Sequence, residues 1–435
     1  MVTLNREADQ ALAVQSGSKL GAVIRVTSGN FLEMYDFMIF AYYAPYIGRA
    51  FFPAKSDFAS LMLTLGTFGV GFLMRPLGAI ILGAYIDHHG RRKGLILTLF
   101  LMAIGLLMVA VTPSFETIGI AAPLIVILGR LVQGLSAGVE LGGVSVYLAE
   151  IAPPNRKGFF CAWQSGSQQV AVAVAAIIGV VLSLALPLGA LSAWAWRIPL
   201  LLGCAIIPFL FFLRSSLQET EAFARRRHRP SMGEIWTSVA AQWPMILVGM
   251  MLITMTTVSF YLITAYTPTF GKRELHLNEL DVMIVTLCIA VSNFIWLPIG
   301  GYISDIFGRR RPLIAVTVLA IVTAYPIMLW LTHSTSFSHL LVAELWFSFI
   351  FGMYNGAAVP FLVEIMPEKV RTSGFSIAYS LATAIFGGFT PATCTILIHA
   401  TGDRAMPGLW LSFAAVFGLV ATVLATSAHR RAVAA

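Results

Sequence analysis

Read from its N-terminus, the chain alternates long apolar runs with short polar breaks. Twelve runs approach or exceed the roughly 20 mainly apolar residues that a spanning helix needs. They fall at 23–47, 58–83, 94–112, 121–149, 159–186, 195–213, 243–269, 281–303, 312–332, 340–365, 373–399 and 408–427. Their length argues for helix over strand, and none shows the alternation over about ten residues that a membrane barrel requires. Glycines and prolines interrupt several runs, which neighbouring helices make tolerable. The pattern predicts an all-α integral membrane fold.

The longest polar interval, 214–242, divides the runs six and six. The expected layout is a polar segment over 1–22, a six-helix bundle over 23–213, a central loop over 214–242, a second bundle over 243–428 and a tail over 429–435. An internal repeat supports the division. Gly83-Ala-Tyr-Ile-Asp87-His-His-Gly90-Arg91-Arg92-Lys93 follows the second run, and Gly301-Tyr-Ile-Ser-Asp305-Ile-Phe-Gly308-Arg309-Arg310-Arg311 follows the eighth. Leu148-Ala-Glu150-Ile-Ala-Pro153 likewise returns as Leu362-Val-Glu364-Ile-Met-Pro367. In such a loop Asp can accept hydrogen bonds from a neighbouring helix N-terminus, and the arginines can pair with carboxylates across one mouth of the bundle. Asp87, Gly90, Arg91, Arg92, Asp305, Gly308, Arg309 and Arg310 are therefore expected to gate that mouth.

Composition sharpens the picture. Hydrophobic residues make up 58% of the 435 and charged residues only 11%, against about 25% charged in soluble domains. Mean hydropathy is +0.83. A soluble multidomain protein, a disordered chain and a disulfide scaffold are excluded. The formal charge of +8 is topological rather than a nucleic-acid signal. Of the 28 Lys and Arg, 20 fall on one set of alternating segments. Six (Arg49, Lys55, Arg197, Lys272, Arg273 and Arg404) fall on the other, and Arg75 and Arg130 lie within spans. The positive-inside rule then places both termini in the cytoplasm. Residues 1–20 carry no apolar h-region, so the first span is expected to act as its own targeting signal. The Arg225–Arg229 run faces anionic lipid headgroups in this reading. The four cysteines fall in spans without paired spacing and read as small core residues. Trp194, Trp196 and Trp330 read as interfacial anchors.

The Gly-x-x-x-Asp-x-x-Gly-Arg-Arg loop resembles that of the major facilitator superfamily. Further stretches resemble its metabolite:proton symporter branch: Gly29-Asn-Phe-Leu-Glu33-Met-Tyr-Asp36-Phe37, Arg75-Pro-Leu-Gly-Ala79, Gly129-Arg130-Leu-Val-Gln133-Gly134 and Glu219-Thr-Glu-Ala-Phe223. Arg25-Val-Thr-Ser-Gly-Asn-Phe-Leu-Glu33, Glu140-Leu-Gly-Gly-Val-Ser-Val-Tyr147 and Phe351-Gly-Met-Tyr-Asn-Gly356 are similar to the enterobacterial citrate–proton symporters and the related tricarballylate carriers. The resemblance implies two pseudo-symmetric six-helix bundles and import of a tricarboxylate with protons by rocker-switch alternating access. It implies a bacterial inner-membrane location, no cofactor beyond the proton and no obligate protein partner. Betaine or proline carriage is the alternative within the same branch. A non-transporting nutrient sensor is the alternative class, and it would usually carry an output segment. An enzyme is disfavoured, since neither a His-Glu-x-x-His metal helix nor a P-loop occurs.

Ionisable residues inside spans cost about 2.5–3.5 kcal/mol each on insertion scales and are functional candidates by default. They are Glu33, Asp36, Arg75, Arg130, Glu140 and, nearer an outer end, Glu344. Five lie in the first half, so a bound polyanion is expected to meet its positive charge there. Arg130 and Gln133 share a helical face, and a guanidinium can grip a carboxylate with two parallel hydrogen bonds. Glu140 stands about 15 Å along the axis from Arg130, too far for a direct pair. Arg75 is the second candidate cation, or else a structural partner of Glu33 or Asp36. These two carboxylates share a face in a poorly hydrated region, so at least one is expected to keep a proton, which nominates Glu33, Asp36 and Glu140 for coupling. Asn30, Tyr35, Gln164, Gln168, Tyr354 and Asn355 complete the expected substrate contacts. Tyr261, Thr264, Asn293, Tyr379 and Ser380 are further neutral donors in the second half. The site is expected to be charged in the first bundle and neutral in the second.

Overall fold

The computed structural model describes residues 21, 23–24, 27, 29–89, 91–138, 140–215, 237, 240–367 and 371–434. Among these the chain is helical and holds no strand. Helices α1 (Gly29–Tyr42) and α2 (Ala44–Phe51) form the first span. Pro45 breaks them apart, because it lacks the N–H for the bond four residues back and starts the new helix instead. There follow α3 (Asp57–His89), α4 (Arg91–Val111), α5 (Ala121–Ala137) with α6 (Glu140–Ile151), α7 (Lys157–Ala185) and α8 (Ile198–Ser215).

In the second half, α9 (Trp243–Tyr261) passes through a π-helical turn, Leu262–Tyr266, into α10 (Thr267–Arg273). Then come α11 (Glu279–Phe307), α12 (Arg310–His333) and α13 (Phe337–Ile365). Helix α14 (Arg371–Ala382) continues through a second π-helical turn, Thr383–Gly387, toward α15 (Thr390–Thr401), and α16 (Met406–Ala434) closes the chain. Each π-turn sits just before a proline, Pro268 or Pro391, whose missing donor frees the backbone to rewind. Nine spans among the described residues are continuous, long and apolar enough to cross a membrane. The other three of the twelve expected runs coincide with α1–α2, α4 and α8.

Lipid replaces water as the outer solvent. Leu73, Phe100, Leu128, Val181, Phe209, Val322 and Phe413 are exposed on the helix exteriors, as expected for helices that are apolar all round. Inside, small residues set the spacing. A Cβ on Gly134 would overlap the Gly71 carbonyl, and one on Gly138 would overlap that of Arg75. Helices α3 and α5 therefore touch backbone to backbone, and the arginine of each reaches an acid of α1. Trp196 departs from the expectation of an interfacial anchor. It is buried, edge-on to Phe51 at 5.6 Å with the Arg197 guanidinium 4.2 Å from its ring, whereas Trp194 and Trp330 are exposed. The short connection after Ala193 folds it back under α2.

The two halves meet along α7 against α11 and along α3 against α14. At the arginine-rich end, Gly158 and Gly301 approach so closely that neither has room for a Cβ. Overpacking such a contact costs about 1–3 kcal/mol. Gly158→Leu is expected to open this end and to speed maleimide labelling of the buried native Cys161 about tenfold. Mass-spectrometric mapping of the labelled cysteine checks this; unchanged labelling would mean that the contact does not hold the end shut.

Candidate functional site

Helix α1 carries both acidic residues of the site on one side. Glu33 and Asp36 are three apart, so they lie on neighbouring faces of a single turn. Each meets its own cation. The Arg75 guanidinium lies 2.8 Å from Glu33 and that of Arg130 lies 2.9 Å from Asp36, all four residues being buried. Arg130 also donates to Gln133 Oε1 at 2.7 Å. Phe37, next to Asp36 and one turn on from Glu33, lies under both guanidiniums at 4.7 and 4.4 Å. Phe72 adds to Arg75, and Phe40 and Phe68 add to Arg130. Cation–π contact of this kind gains strength when desolvated.

The two pairs differ in what lies beyond them. Arg75 lines a narrow central cavity between the halves, with room for about one water. Arg130 does not line it and is enclosed by the aromatic rings and Gln133. The first half contributes Arg75, Met34, Leu141, Ser165 and Gln168 to the cavity. The second contributes only neutral groups: Thr256, Thr257, Phe260, Tyr261, Phe351, Tyr379 and Thr383. Tyr261 also stands edge-on to Phe72 at 5.1 Å, tying the halves together beside the arginine. Charge therefore comes from the first bundle alone, and most of the hydroxyls come from the second. Arg75 Nε has no hydrogen-bond partner, and neither has Thr256 Oγ1. Buried donors are normally satisfied, so these two mark where an anionic oxygen would be received.

Other residues singled out by the sequence fall into distinct places. The Tyr35 hydroxyl donates to the Pro199 carbonyl at 2.8 Å and that of Tyr354 to the Leu252 carbonyl at 2.8 Å, both away from the cavity. Asn30, Gln164 and Asn355 are buried with unpartnered amide atoms. Gly90 lies outside the described residues, as do the side chains of Asp87, Arg91, Arg92 and Glu140. Gly134-Leu-Ser136-Ala-Gly138 matches a Gly-x-Ser-x-Gly string. It lies at the end of α5, with Ser136 donating to the Gln133 carbonyl, and not on the strand-to-helix turn that exposes a nucleophile.

Sequence reasoning passed over Thr256, Thr257, Thr383 and Gln169. Gln169 Oε1 accepts from Asn293 Nδ2 at 3.1 Å across the bundle interface, and Asn293 Oδ1 accepts from Ser348 at 2.7 Å. Thr256 and Thr257 lie on α9 ahead of the first π-turn and Thr383 opens the second, and the prolines beyond these turns are their mark in the sequence. Among the described residues no cluster of three His, Cys, Asp or Glu is suited to a metal.

Both ends of the cavity are closed. At the arginine-rich end the Asp305 carboxylate accepts from the backbone N–H of Gly158 (2.8 Å) and Phe159 (3.0 Å), capping α7. Arg309 bridges Asp305 at 2.7 Å and Glu364 at 2.9 Å, which joins the two repeated motifs. Burial works against the Arg309 cation, but Glu364 and Asp305 outweigh it and hold its pKa above the ordinary guanidinium value. Gly308 precedes it with φ +77°, a left-handed conformation that favours glycine. Arg310 begins α12. At the opposite end, Glu279 accepts from the Tyr46 hydroxyl at 2.5 Å and from Lys272 at 3.1 Å, and Phe58 stacks on His399 at 4.0 Å.

The model of the major facilitator superfamily matches residues 26–391. A citrate–proton symporter of Klebsiella pneumoniae is 58% identical over 411 residues, covering 94% of this chain and 93% of that one. A proline/betaine transporter of Escherichia coli strain K12 is 27% identical over 421 residues, covering 94% and 84%. Among solved structures, a D-xylose–proton symporter superimposes with a TM-score of 0.73 at 16% identity, covering 93% of this chain and 96% of that one, a likeness of fold.

Proposed function

The chain belongs to the major facilitator superfamily, and from that premise we propose that it imports citrate together with protons by alternating access. It is a transporter and not an enzyme, as its relatives are. The observation that carries the site is Arg75, a buried cation on the central cavity, paired with Glu33 and retaining an uncommitted N–H. One guanidinium facing two anions in a dry site cannot satisfy both fully. A citrate carboxylate that reaches Arg75 competes with Glu33, which then takes a proton because a buried carboxylate whose guanidinium is drawn to another anion is costly to keep charged. Substrate and proton uptake are thereby linked. Gln168, Tyr261, Tyr379 and Thr256 orient the remaining carboxylates and hydroxyl, while Asp36 stays clamped by Arg130.

The proposed setting is the bacterial inner membrane with both termini cytoplasmic, supported by the bias of basic residues toward one set of segments. The bundles over 23–213 and 243–428 rock about the cavity. Asp305, Gly308, Arg309 and Arg310, with Asp87, Gly90, Arg91 and Arg92 in the repeated loop, form the cytoplasmic gate. Membrane lipid is the remaining partner.

The test is purified protein in liposomes with an imposed pH gradient and labelled citrate, competed with tricarballylate and betaine. Gradient-driven citrate accumulation without added partner is expected. Its absence would remove the substrate assignment, and stronger competition by tricarballylate or betaine would redirect it. Glu33→Gln is expected to lose accumulation while citrate exchange continues. At a pH where citrate is fully ionised, binding should take up a proton from weakly buffered solution in the parent protein and not in Glu33→Gln. Proton uptake that survives in the variant would place coupling elsewhere.

A further inference from the structure

Three carboxamides stand in a common relation to the cavity. Met34, Gln168 and Phe351 line it, and Asn30, Gln164 and Asn355 lie one helical turn from them on the same faces of α1, α7 and α13. Alternate spans run in opposite directions. A step of minus four on α1 and α7 and of plus four on α13 therefore leads the same way, toward the end closed by Asp305 and Arg309. Helix α7 packs against both α1 and α13, so the three amides come from adjoining helices.

All three residues are at most 1% exposed. Both side-chain polar atoms of Asn30 and of Asn355 lack a hydrogen-bond partner, as does Gln164 Nε2, while Gln164 Oε1 accepts from Ser165. Burying an amide without partners costs free energy, and apolar residues of similar shape would pack more favourably. Neutral N–H donors suit a passing carboxylate: they attract it without the binding depth of a guanidinium, which would trap it. The amides therefore suit transit better than capture.

Resting on the citrate reading above, we propose that Asn30, Gln164 and Asn355 form a second, uncharged station that receives the substrate's carboxylates on the way from Arg75 to the cytoplasm. Arg75 holds the anion; the amides lower the barrier to its release.

Asn30→Leu, Gln164→Leu and Asn355→Leu separate this from other roles, with Asn30→Ala and Asn355→Ala as smaller replacements should a leucine fail to fold. Citrate affinity is measured at equilibrium in detergent, turnover in liposomes, and melting temperature on the same preparations. Affinity is expected within about twofold of the parent, turnover lower by about fivefold or more, and the melting temperature equal or higher. Turnover that is unchanged would overturn the proposal. So would turnover that falls together with the melting temperature, which makes the amides structural. An affinity loss of about tenfold would also overturn it by assigning the amides to the central site. A parent protein that binds no citrate would instead refute the reading of function, and that is seen before any variant is made.

Discussion

Arg75→Gln is expected to weaken citrate binding by about thirtyfold or more, because it removes the cation of the central cavity. Truncating one side of a desolvated charge pair costs about 2–5 kcal/mol, and each 1.4 kcal/mol is a factor of ten. The variant should still fold, since Glu33, left without its guanidinium, can bind a proton and become neutral. Arg75→Lys should fall between the two, about tenfold weaker, because an ammonium keeps the charge but loses the planar fork and its stacking on Phe37 and Phe72. Equilibrium binding in detergent measures all three proteins. If Arg75→Gln binds citrate as the parent does, the anion is held elsewhere and the coupling scheme through Glu33 fails with it.

Replacing Arg130 should act on stability before it acts on binding. Arg130→Leu leaves Asp36 buried with Gln133 and phenylalanines for company, and breaking a buried pair from one side costs about 3–5 kcal/mol. That is a large part of the 5–15 kcal/mol by which proteins of ordinary stability stay folded, so low yield and a strongly lowered melting temperature are expected. Adding Asp36→Leu should restore much of the loss, since removing both charges leaves neither unpaired. The double variant distinguishes scaffold from site. If it recovers folding and retains citrate affinity, Arg130 serves the fold; if it folds but binds no citrate, Arg130 also serves the substrate.

Of the residues that the sequence put forward, packing brings Arg75, Gln168, Tyr261 and Tyr379 to the cavity and leaves Arg130, Tyr35 and Tyr354 off it. Arg130 has the more suggestive local context, with Gln133 one turn on and glycines down one side. Those same glycines draw α5 onto α3, and the tight contact brings Arg130 under Phe37, Phe40 and Phe68, away from the cavity. Arg75, readable as a second cation or as a structural partner of Glu33 or Asp36, pairs with Glu33 and also lines the cavity. The tyrosines readable as hydroxyl donors in the second half separate the same way. Tyr261 lines the cavity, while Tyr354 is spent on a backbone carbonyl.

The repeated loops were legible for a different reason. Their geometry is local: an aspartate near a helix end, a glycine with positive φ and an arginine directly before the next helix. Asp305 on the α7 amides and Arg309 between Asp305 and Glu364 realise contacts of the kinds that the motif allows. Which two elements such a motif joins was not legible. That Glu364, from the other echoed segment, would meet Arg309 depends on how α11, α12 and α13 assemble.

The sequence by itself determined the twelve apolar runs, the bias of basic residues toward one set of segments between them, the twofold repeat and the short set of ionisable residues within spans. Lipid imposes these in one dimension, since every crossing needs a long apolar helix and every intramembrane charge stands out by its cost. Tertiary structure alone decided which carboxylate meets which arginine, which arginine faces the cavity, and that unpartnered amides gather one turn below it. Those outcomes depend on the rotation and register of helices against one another. Glycine contacts and two π-turns set them here, and no periodicity along a single helix records how its neighbour is turned.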